Sequence, residues 1–108
     1  MIRLPIPPSV NQLYRNVPGK GRVKTDHYKA WLTEAGFKLK LQYPKSVPGK
    51  YELLIQVPEW LAGDIDNRIK AVSDLFVTHG LVKDDRHAWR VTVERAKIDE
   101  CNAQLKEV

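Results

Sequence analysis

The sequence is poor in the residues that build disulfide and zinc sites. Cys101 is the single cysteine, so no disulfide can form within one chain. The three histidines, His27, His79 and His87, lack the mutual spacing of a ligand set, and we expect them at the surface or at helix ends. These absences exclude a disulfide scaffold and a zinc finger.

Long apolar runs are also missing. No stretch approaches the roughly 20 apolar residues that span a bilayer, and the first residues, MIRLPIPP, lack the apolar core of a signal peptide. Six glycines and seven prolines are too scattered for a fibrous or disordered chain. We therefore expect a soluble, cytoplasmic protein without membrane partners.

Length and apolar content predict one small domain. The chain has 108 residues, 43% of them hydrophobic, which suffices for a single modest core. We expect one α+β domain over residues 1–108, with a mixed β-sheet packed against two helices.

Charge is distributed unevenly along the chain. Residues 1–50 carry ten basic and two acidic residues, a net charge of +8, whereas residues 51–108 carry eight basic and eleven acidic residues, a net charge of −3. Such asymmetry is typical of proteins that contact nucleic acid, although a solvated basic surface that aids solubility gives the same pattern.

The first half predicts a strand, a loop and a helix. Residues 2–6 form the strand, and residues 7–25 form a long basic loop, charged by Arg15, Lys20, Arg22 and Lys24. Apolar residues at helical spacing then predict a helix from about Asp26 to Tyr43, capped by Thr25 or Asp26. Its apolar stripe contains Tyr28, Trp31, Leu32, Ala35 and Leu39. Phe37 and Leu41 lie off that stripe, at the edge of a wide buried face or in contact with a second subunit.

The second half predicts three more strands and a helix. Tyr51–Val57 is rich in β-forming residues, and a helix runs from Asp66 or Asn67 to about Thr78. Residues 88–95 alternate like a half-buried strand. We expect residues 102–107 to pair with that strand as a hairpin.

Acidic residues cluster around the start of the second helix. Asp64 and Asp66 are two apart, which in an extended chain places both side chains on one face, about 6.5–7 Å apart at the backbone. Lys70 lies one helical turn beyond Asp66, and Asp85 precedes a strand. Carboxylates so placed can bind Mg²⁺, and a nearby lysine can stabilise charge on a phosphoryl group.

Each of these residues also has a plain structural interpretation. Asp64 and Asp66 are common turn residues, and Asp66 is a good helix cap. Lys70 and Asp74, at positions i and i+4, form an ordinary surface pair. Asp84 and Asp85 fit a β-turn. Taken together, however, these residues predict an acidic pocket with one lysine in a basic protein, as in a metal-dependent phosphodiesterase acting on nucleic acid.

Two ordered motifs resemble the RusA family of Holliday junction resolvases, small endonucleases of bacteria and prophages. Pro7-Pro-Ser-Val-Asn11, followed by Tyr14-Arg15, is similar to the family's opening segment. Asp64-Ile-Asp-Asn-x-x-Lys70, then Asp74, then Gly80-Leu-Val-x-Asp-Asp85 is similar to its acidic signature without insertions.

The resemblance implies a homodimer of α+β subunits that cuts four-way DNA junctions with Mg²⁺ during recombination and repair. Asp64, Asp66 and Asp85 match the catalytic, metal-binding aspartates, and Lys70 matches the essential lysine. Supporting positions around the site are Asp74, Asp84, Asn67 and Asn11, the last near the site or the dimer contact.

One segment departs from the family pattern. Well-known members carry arginines immediately before the acidic pair, where this chain has Pro58-Glu-Trp-Leu-Ala-Gly63. We expect the basic residues Arg15, Lys20, Arg22 and Lys24 to bind DNA instead. Trp60 is either a core or hinge residue or a platform on which an unpaired base stacks.

Three other functions remain open on the sequence. The first is a Mg²⁺ nuclease of the same fold that acts on flaps, forks or single strands. The second is a catalytically silent DNA-binding module, and the third is a protein–protein adaptor that uses the 26–43 helix. Loss of activity in EDTA separates a nuclease from a silent module, and salt-insensitive binding to a protein partner favours the adaptor.

Overall fold

The computed structural model describes all 108 residues and contains a four-stranded sheet, a small hairpin and two α-helices. The strands of the sheet are β1 (Ile2–Leu4), β4 (Tyr51–Pro58), β5 (Ala88–Ala96) and β6 (Cys101–Glu107). The hairpin is formed by β2 (Tyr14–Val17) and β3 (Gly21–Lys24), and the helices are α1 (Asp26–Leu41) and α2 (Ile69–Thr78). The predicted α+β class is confirmed.

The sheet is mixed, with the apolar strand β4 near its centre. Its order is β1-β6-β4-β5, and β4 runs parallel to β5 and antiparallel to β6. Alternate residues of β4 are buried, with Leu53 2% and Ile55 0% exposed. Because α2 connects two parallel neighbouring strands, β4-α2-β5 forms a βαβ unit, and its two connections carry the acidic residues.

Helix α1 follows its predicted stripe. The Thr25 side chain accepts a hydrogen bond from the Tyr28 backbone N–H (3.1 Å), which caps the helix start. Tyr28 is 1% exposed, and Trp31, Ala35 and Leu39 are also buried. Phe37 and Leu41 are 65% and 61% exposed, so they do not belong to the buried face.

The expected pairing of residues 102–107 with the preceding strand is wrong. β6 pairs with β4 on one side and β1 on the other, so β4 lies between β5 and β6. This order buries apolar β4 on both flanks and leaves the charged strand β5 at the sheet edge. Residues 97–100 cross the intervening strand, a gap of about 10 Å that four extended residues can span.

The expected loop over residues 7–25 is also wrong in part. It contains a 3₁₀ turn at Val10–Gln12 and the β2–β3 hairpin. Gly19 and Gly21 adopt positive φ angles of 80° and 78°, which lets the chain reverse at the hairpin tip. Leu13 is fully buried and its carbonyl accepts from the Thr25 N–H (3.0 Å), so the core and α1 anchor the hairpin base.

No helix in the chain has the length and apolar content to cross a membrane.

Candidate functional site

The segment that carries Asp64 and Asp66 is a 3₁₀ turn between β4 and α2. Gly63 turns the chain with a φ of 84°, and Ile65–Arg68 forms the turn. The Asp64 backbone carbonyl accepts from the Asn67 N–H (3.2 Å), but its carboxylate caps nothing. α2 begins at Ile69 without any side-chain cap, so the interpretation of Asp66 as a helix cap is wrong. Helix capping therefore does not explain the two carboxylates.

Three of the four predicted catalytic residues line one open cavity. Asp66, Lys70 and Asp85 surround a space of about 310 Å³, together with Val10, Asn67, Ile69 and Ser73. Asp64 is not part of this lining. The fold thus brings the start of α2 and the segment before β5 to the same place.

The structure does not gather the three aspartates into one ligand set. No group of three His, Cys, Asp or Glu side chains is placed to hold a metal ion. Asp66 and Asp85 nevertheless share a cavity, and Mg²⁺ is commonly bound by one or two carboxylates, with water and substrate phosphate completing its shell. The donor chemistry of this pair fits that mode of binding.

The acidic residues differ in whether their carboxylates already accept a hydrogen bond from a nitrogen donor of the protein. No nitrogen donor forms a hydrogen bond or ion pair with the carboxylates of Asp64, Asp66 or Asp85. Asp84, in contrast, accepts from the Arg86 backbone N–H (2.9 Å) and from Arg86 Nε (3.0 Å). These contacts hold the pKa of Asp84 below its ordinary value. Asp84 is therefore the cap of the 3₁₀ turn Asp85–His87, in which the His87 N–H donates to the Asp84 carbonyl (3.1 Å), as in the expected β-turn.

Lys70 is held by a carboxylate and a tyrosine behind it. Its Nζ lies 3.0 Å from Asp74 Oδ1, and the Tyr28 hydroxyl donates to Asp74 Oδ2 (3.4 Å). The hydrogen bond to Asp74 raises the pKa of Lys70 against a smaller opposing effect of desolvation, and the charges of Asp74 and Asp85 add to the rise. Lys70 is thus a cation beside Asp85, oriented by Asp74.

Burial raises the pKa of two tyrosines near the site, Tyr28 and Tyr51. Desolvation, followed by the charge of Asp74, raises the pKa of Tyr28. Burial also raises the pKa of Tyr51, with further contributions from Asp85 and Asp84. Both hydroxyls therefore stay protonated at neutral pH and can donate hydrogen bonds to acidic groups.

The predicted DNA-binding residues lie on both faces of the hairpin. Lys24 pairs across the strands with Tyr14, and Arg22 with Asn16, so Lys24 and Arg22 share one face. The Arg22 guanidinium stacks over the Tyr14 ring, 4.4 Å from its centroid. Arg15 pairs with Val23 and points to the opposite face, and Lys20 lies in the turn.

Lys24 is the basic residue of the hairpin that reaches the acidic site. It lines a second cavity, of about 610 Å³, with Tyr14, Asp74, Asp84 and Asp85. Because Asp85 belongs to both cavities, the two adjoin. The hairpin therefore places positive charge next to the acidic cavity without closing it.

Asn11 lies in the 3₁₀ turn Val10–Gln12, which contacts both α2 and the turn Ile65–Arg68. The Asn11 side chain is exposed, and its neighbour Val10 lines the acidic cavity. The N-terminal motif and the acidic motif are thus adjacent in space although more than fifty residues separate them.

Several other residues differ from, or refine, their expected places. Trp60 is 62% exposed, so the core interpretation of this residue is wrong. His79 follows the last turn of α2, and its ring occupies the space beside Gly36, 2.9 Å from where a Cβ would lie. Cys101 is fully buried, and burial raises its thiol pKa to about 12.

Two arginines that the sequence patterns did not single out hold the loop before Asp64. Arg68 donates to the carbonyls of Pro7 (2.8 Å) and Ala62 (3.3 Å). Arg95 donates to three carbonyls of residues 59–63. Backbone carbonyls leave no side-chain pattern in a sequence, and the only available signal was a turn-rich segment whose polar groups need partners.

The chain matches no protein-family model, and no curated protein shows significant similarity to it. The motifs and the geometry of the site therefore carry the functional argument.

Proposed function

We propose that this protein is a Mg²⁺-dependent, structure-specific endonuclease that resolves four-way DNA junctions by hydrolysing paired phosphodiester bonds. The observation that carries the proposal is the shared cavity of Asp66, Lys70 and Asp85, in which neither carboxylate is occupied by a nitrogen donor. The ordered motif that resembles the RusA family contains the same three residues.

The acidic residues would bind the divalent cation. Asp66 and Asp85 supply hard oxygen ligands from one cavity, and Asp64 is one residue before the 3₁₀ turn that carries Asp66. A bound Mg²⁺ supplies charge stabilisation and an activated water for hydrolysis. Because the site is open, a DNA phosphate can provide further oxygen ligands.

Lys70 would stabilise negative charge on the phosphoryl group. Its side chain is about half exposed, at 49%, and lines the cavity. Asp74 fixes its position and raises its pKa, so that Lys70 remains a cation at neutral and moderately alkaline pH. A fixed cation beside the reacting phosphate favours the transition state, in which charge accumulates on the phosphoryl oxygens.

The hairpin would hold the flanking DNA backbone. Lys24 lines the larger cavity together with Asp85, and Arg22 lies on the same face of the hairpin. Contacts of this kind neutralise phosphates and make binding strongly dependent on salt. Their position next to Asp85 directs the backbone toward the acidic cavity.

The partner of each subunit would be a second copy joined along β5. This strand has β4 on one side and no strand on the other. If two copies pair antiparallel about Thr92, each copy's Arg90 lies opposite the other copy's Glu94, which gives two ion pairs across the interface. Val91 of each copy then lies opposite Val93 of the other. A twofold dimer presents two sites to a junction of near-twofold symmetry.

Cleavage of labelled substrates tests the function. A synthetic four-way junction is compared with a flap, a fork and a linear duplex of the same sequence, each with Mg²⁺ and with EDTA. The proposal predicts paired nicks in the junction that disappear in EDTA. Preferential cleavage of flaps or forks would show that the four-way junction is not the substrate, but it would leave the proposal of a metal-dependent nuclease intact.

A silent DNA-binding module is the second candidate, because the three aspartates are not gathered around one ion position. Such a module binds the junction with or without Mg²⁺ and leaves it intact. Tight junction binding in a gel-shift measurement, with no cleavage in the experiment above, would establish this function and exclude the nuclease.

A further inference from the structure

The guanidinium of Arg95 binds the loop that leads to Asp64 at three points. Its Nη1 donates to the carbonyls of Glu59 (3.0 Å) and Leu61 (2.6 Å), and its Nη2 donates to the carbonyl of Gly63 (3.0 Å). Arg95 lies near the end of β5, and its three acceptors lie 32 to 36 residues earlier in the chain. One side chain therefore binds three of the five carbonyls of the 59–63 loop, in addition to the backbone hydrogen bonds from Glu59 N–H to the Ala96 carbonyl (2.9 Å) and from Leu61 N–H to the Pro58 carbonyl (3.1 Å).

Arg68 binds the same loop from the opposite end. Its Nη2 donates to the Ala62 carbonyl (3.3 Å) and its Nη1 to the Pro7 carbonyl (2.8 Å). Four of the five carbonyls of residues 59–63 thus accept from arginine. The loop, the N-terminal segment and the acidic turn are tied together by these two side chains.

Apolar packing contributes little to the position of this loop. Trp60 is 62% exposed, and Ala62 and Gly63 are exposed as well, whereas Leu61 packs partly against the core. Arg95 itself is exposed and does not belong to the core. Its hydrogen bond to the Gly63 carbonyl, with that of Arg68 to the Ala62 carbonyl, therefore holds the end of the loop directly before Asp64.

We propose that Arg95 is a positioning residue that sets the place of Asp64 and Asp66 relative to Asp85 for divalent-cation binding. This inference rests on the proposed function. The planar guanidinium presents several donors in a rigid geometry, so it can satisfy three carbonyls at once, whereas a lysine ammonium is a mobile point charge. Loss of a group that orients metal ligands typically weakens metal affinity or activity by about 10–100-fold.

The test uses Mn²⁺ as a paramagnetic probe and needs no catalysis. Amide NMR signals of residues 63–66 are followed during Mn²⁺ titration of the wild-type protein, of Arg95→Ala and of Arg95→Lys. Lys97→Ala is the matched control, since Lys97 is an exposed cation two residues away with no ion-pair or hydrogen-bond partner. Circular dichroism checks that each variant is folded.

Arg95→Ala is expected to raise the Mn²⁺ concentration for half-maximal broadening by about 10–100-fold. Arg95→Lys is expected to raise it too, because charge alone cannot hold three carbonyls. The Lys97→Ala midpoint should stay at or slightly below that of the wild type, since losing a positive charge favours cation binding. The Mg²⁺ concentration for half-maximal junction cleavage should rise in the same variants as the Mn²⁺ midpoint does. Junction affinity measured in EDTA should be equal for Arg95→Ala and Lys97→Ala, since each variant loses one positive charge.

An unchanged midpoint in folded Arg95→Ala would overturn the positioning role while leaving the nuclease proposal intact. If Arg95→Ala does not fold, an unchanged midpoint in Arg95→Lys would overturn it equally. Absence of selective broadening near Asp64 and Asp66 in the wild type would overturn the metal-dependent function, and the positioning role with it.

Discussion

At the scale of single residues, the aspartates of the site fall into two groups that the sequence alone does not separate. Asp74 and Asp84 already have donors, Lys70 with Tyr28 and Arg86 respectively. Asp64, Asp66 and Asp85 have no nitrogen donor. Adjacent positions such as 84 and 85 look equivalent in a motif, but one carboxylate caps a turn and the other lines the cavity. Only side-chain geometry makes this distinction.

The contact between Lys70 and Asp74 predicts a specific pKa change. Asp74→Asn should lower the pKa of Lys70, because the hydrogen bond and charge of Asp74 are main causes of its raised value. NMR titration of the Lys70 side chain measures this directly, with Asp99→Asn as control, since Asp99 is exposed and unpaired. An unchanged pKa in Asp74→Asn would contradict the orienting role of Asp74.

The sign of the associated stability effect follows from linkage. A lysine whose pKa is raised by folding stabilises the native state below its unfolded pKa of about 10.4, and this contribution is lost as pH rises through the folded value. Because the Lys70 side chain is 49% exposed, we expect this stabilising contribution to be small, and we expect its loss to begin only above about pH 10.

At the scale of elements, local sequence patterns predict the helices, whereas strand pairings that depend on non-local contacts are not predictable from such patterns. The stripe from Tyr28 to Leu39 and the Thr25 cap are local, and α1 follows them. The β2–β3 hairpin is harder to predict, because Pro18, Gly19 and Gly21 are as typical of an open loop as of the tight reversal that they form here. The partner of β6 was missed because strand pairing depends on the whole sheet.

The two faces of the hairpin predict different effects on DNA binding. Lys24→Ala should weaken junction binding and reduce the log–log salt slope by about one, because Lys24 lines the larger cavity beside Asp85. Arg15→Ala, on the opposite face, should change the slope less. Binding measured over a range of salt concentrations compares the two. Equal losses would show that the hairpin binds DNA on both faces.

At the scale of the whole molecule, the sheet order assembles the site and leaves one open edge. The βαβ unit brings the end of the β4–α2 connection and the α2–β5 connection to one cavity. The same order leaves β5 exposed, with Trp89 64% and Val91 39% accessible. The acidic motif groups Asp66, Lys70 and Asp85, which the fold brings to one cavity, whereas Asp64 does not line it. The arginines that bind the 59–63 loop and the open edge of β5 can be identified only from the fold.

The open edge predicts a charge-dependent dimer. Arg90→Glu should raise the dimer dissociation constant by about tenfold, because two attractive cross-strand pairs become repulsive. The double variant Arg90→Glu, Glu94→Arg should restore dimerisation, since it reverses both charges. Sedimentation equilibrium over a range of protein concentrations measures both. A monomeric wild type, or a single variant that dimerises like the wild type, would contradict pairing along β5.

The proposed function requires the carboxylates of this cavity to support metal-dependent hydrolysis of junction DNA. Junction cleavage in Mg²⁺ by the wild type, Asp66→Asn and the control Asp99→Asn tests this requirement. We expect the cleavage rate of Asp66→Asn to fall by more than about 100-fold, which exceeds the loss from removing a group that only supports the metal ligands. We expect this variant to bind the junction as tightly as the wild type or more tightly, because it lacks one negative charge near the DNA. Asp99→Asn should cleave like the wild type. Retained cleavage by Asp66→Asn, or loss of its junction binding, would contradict the account.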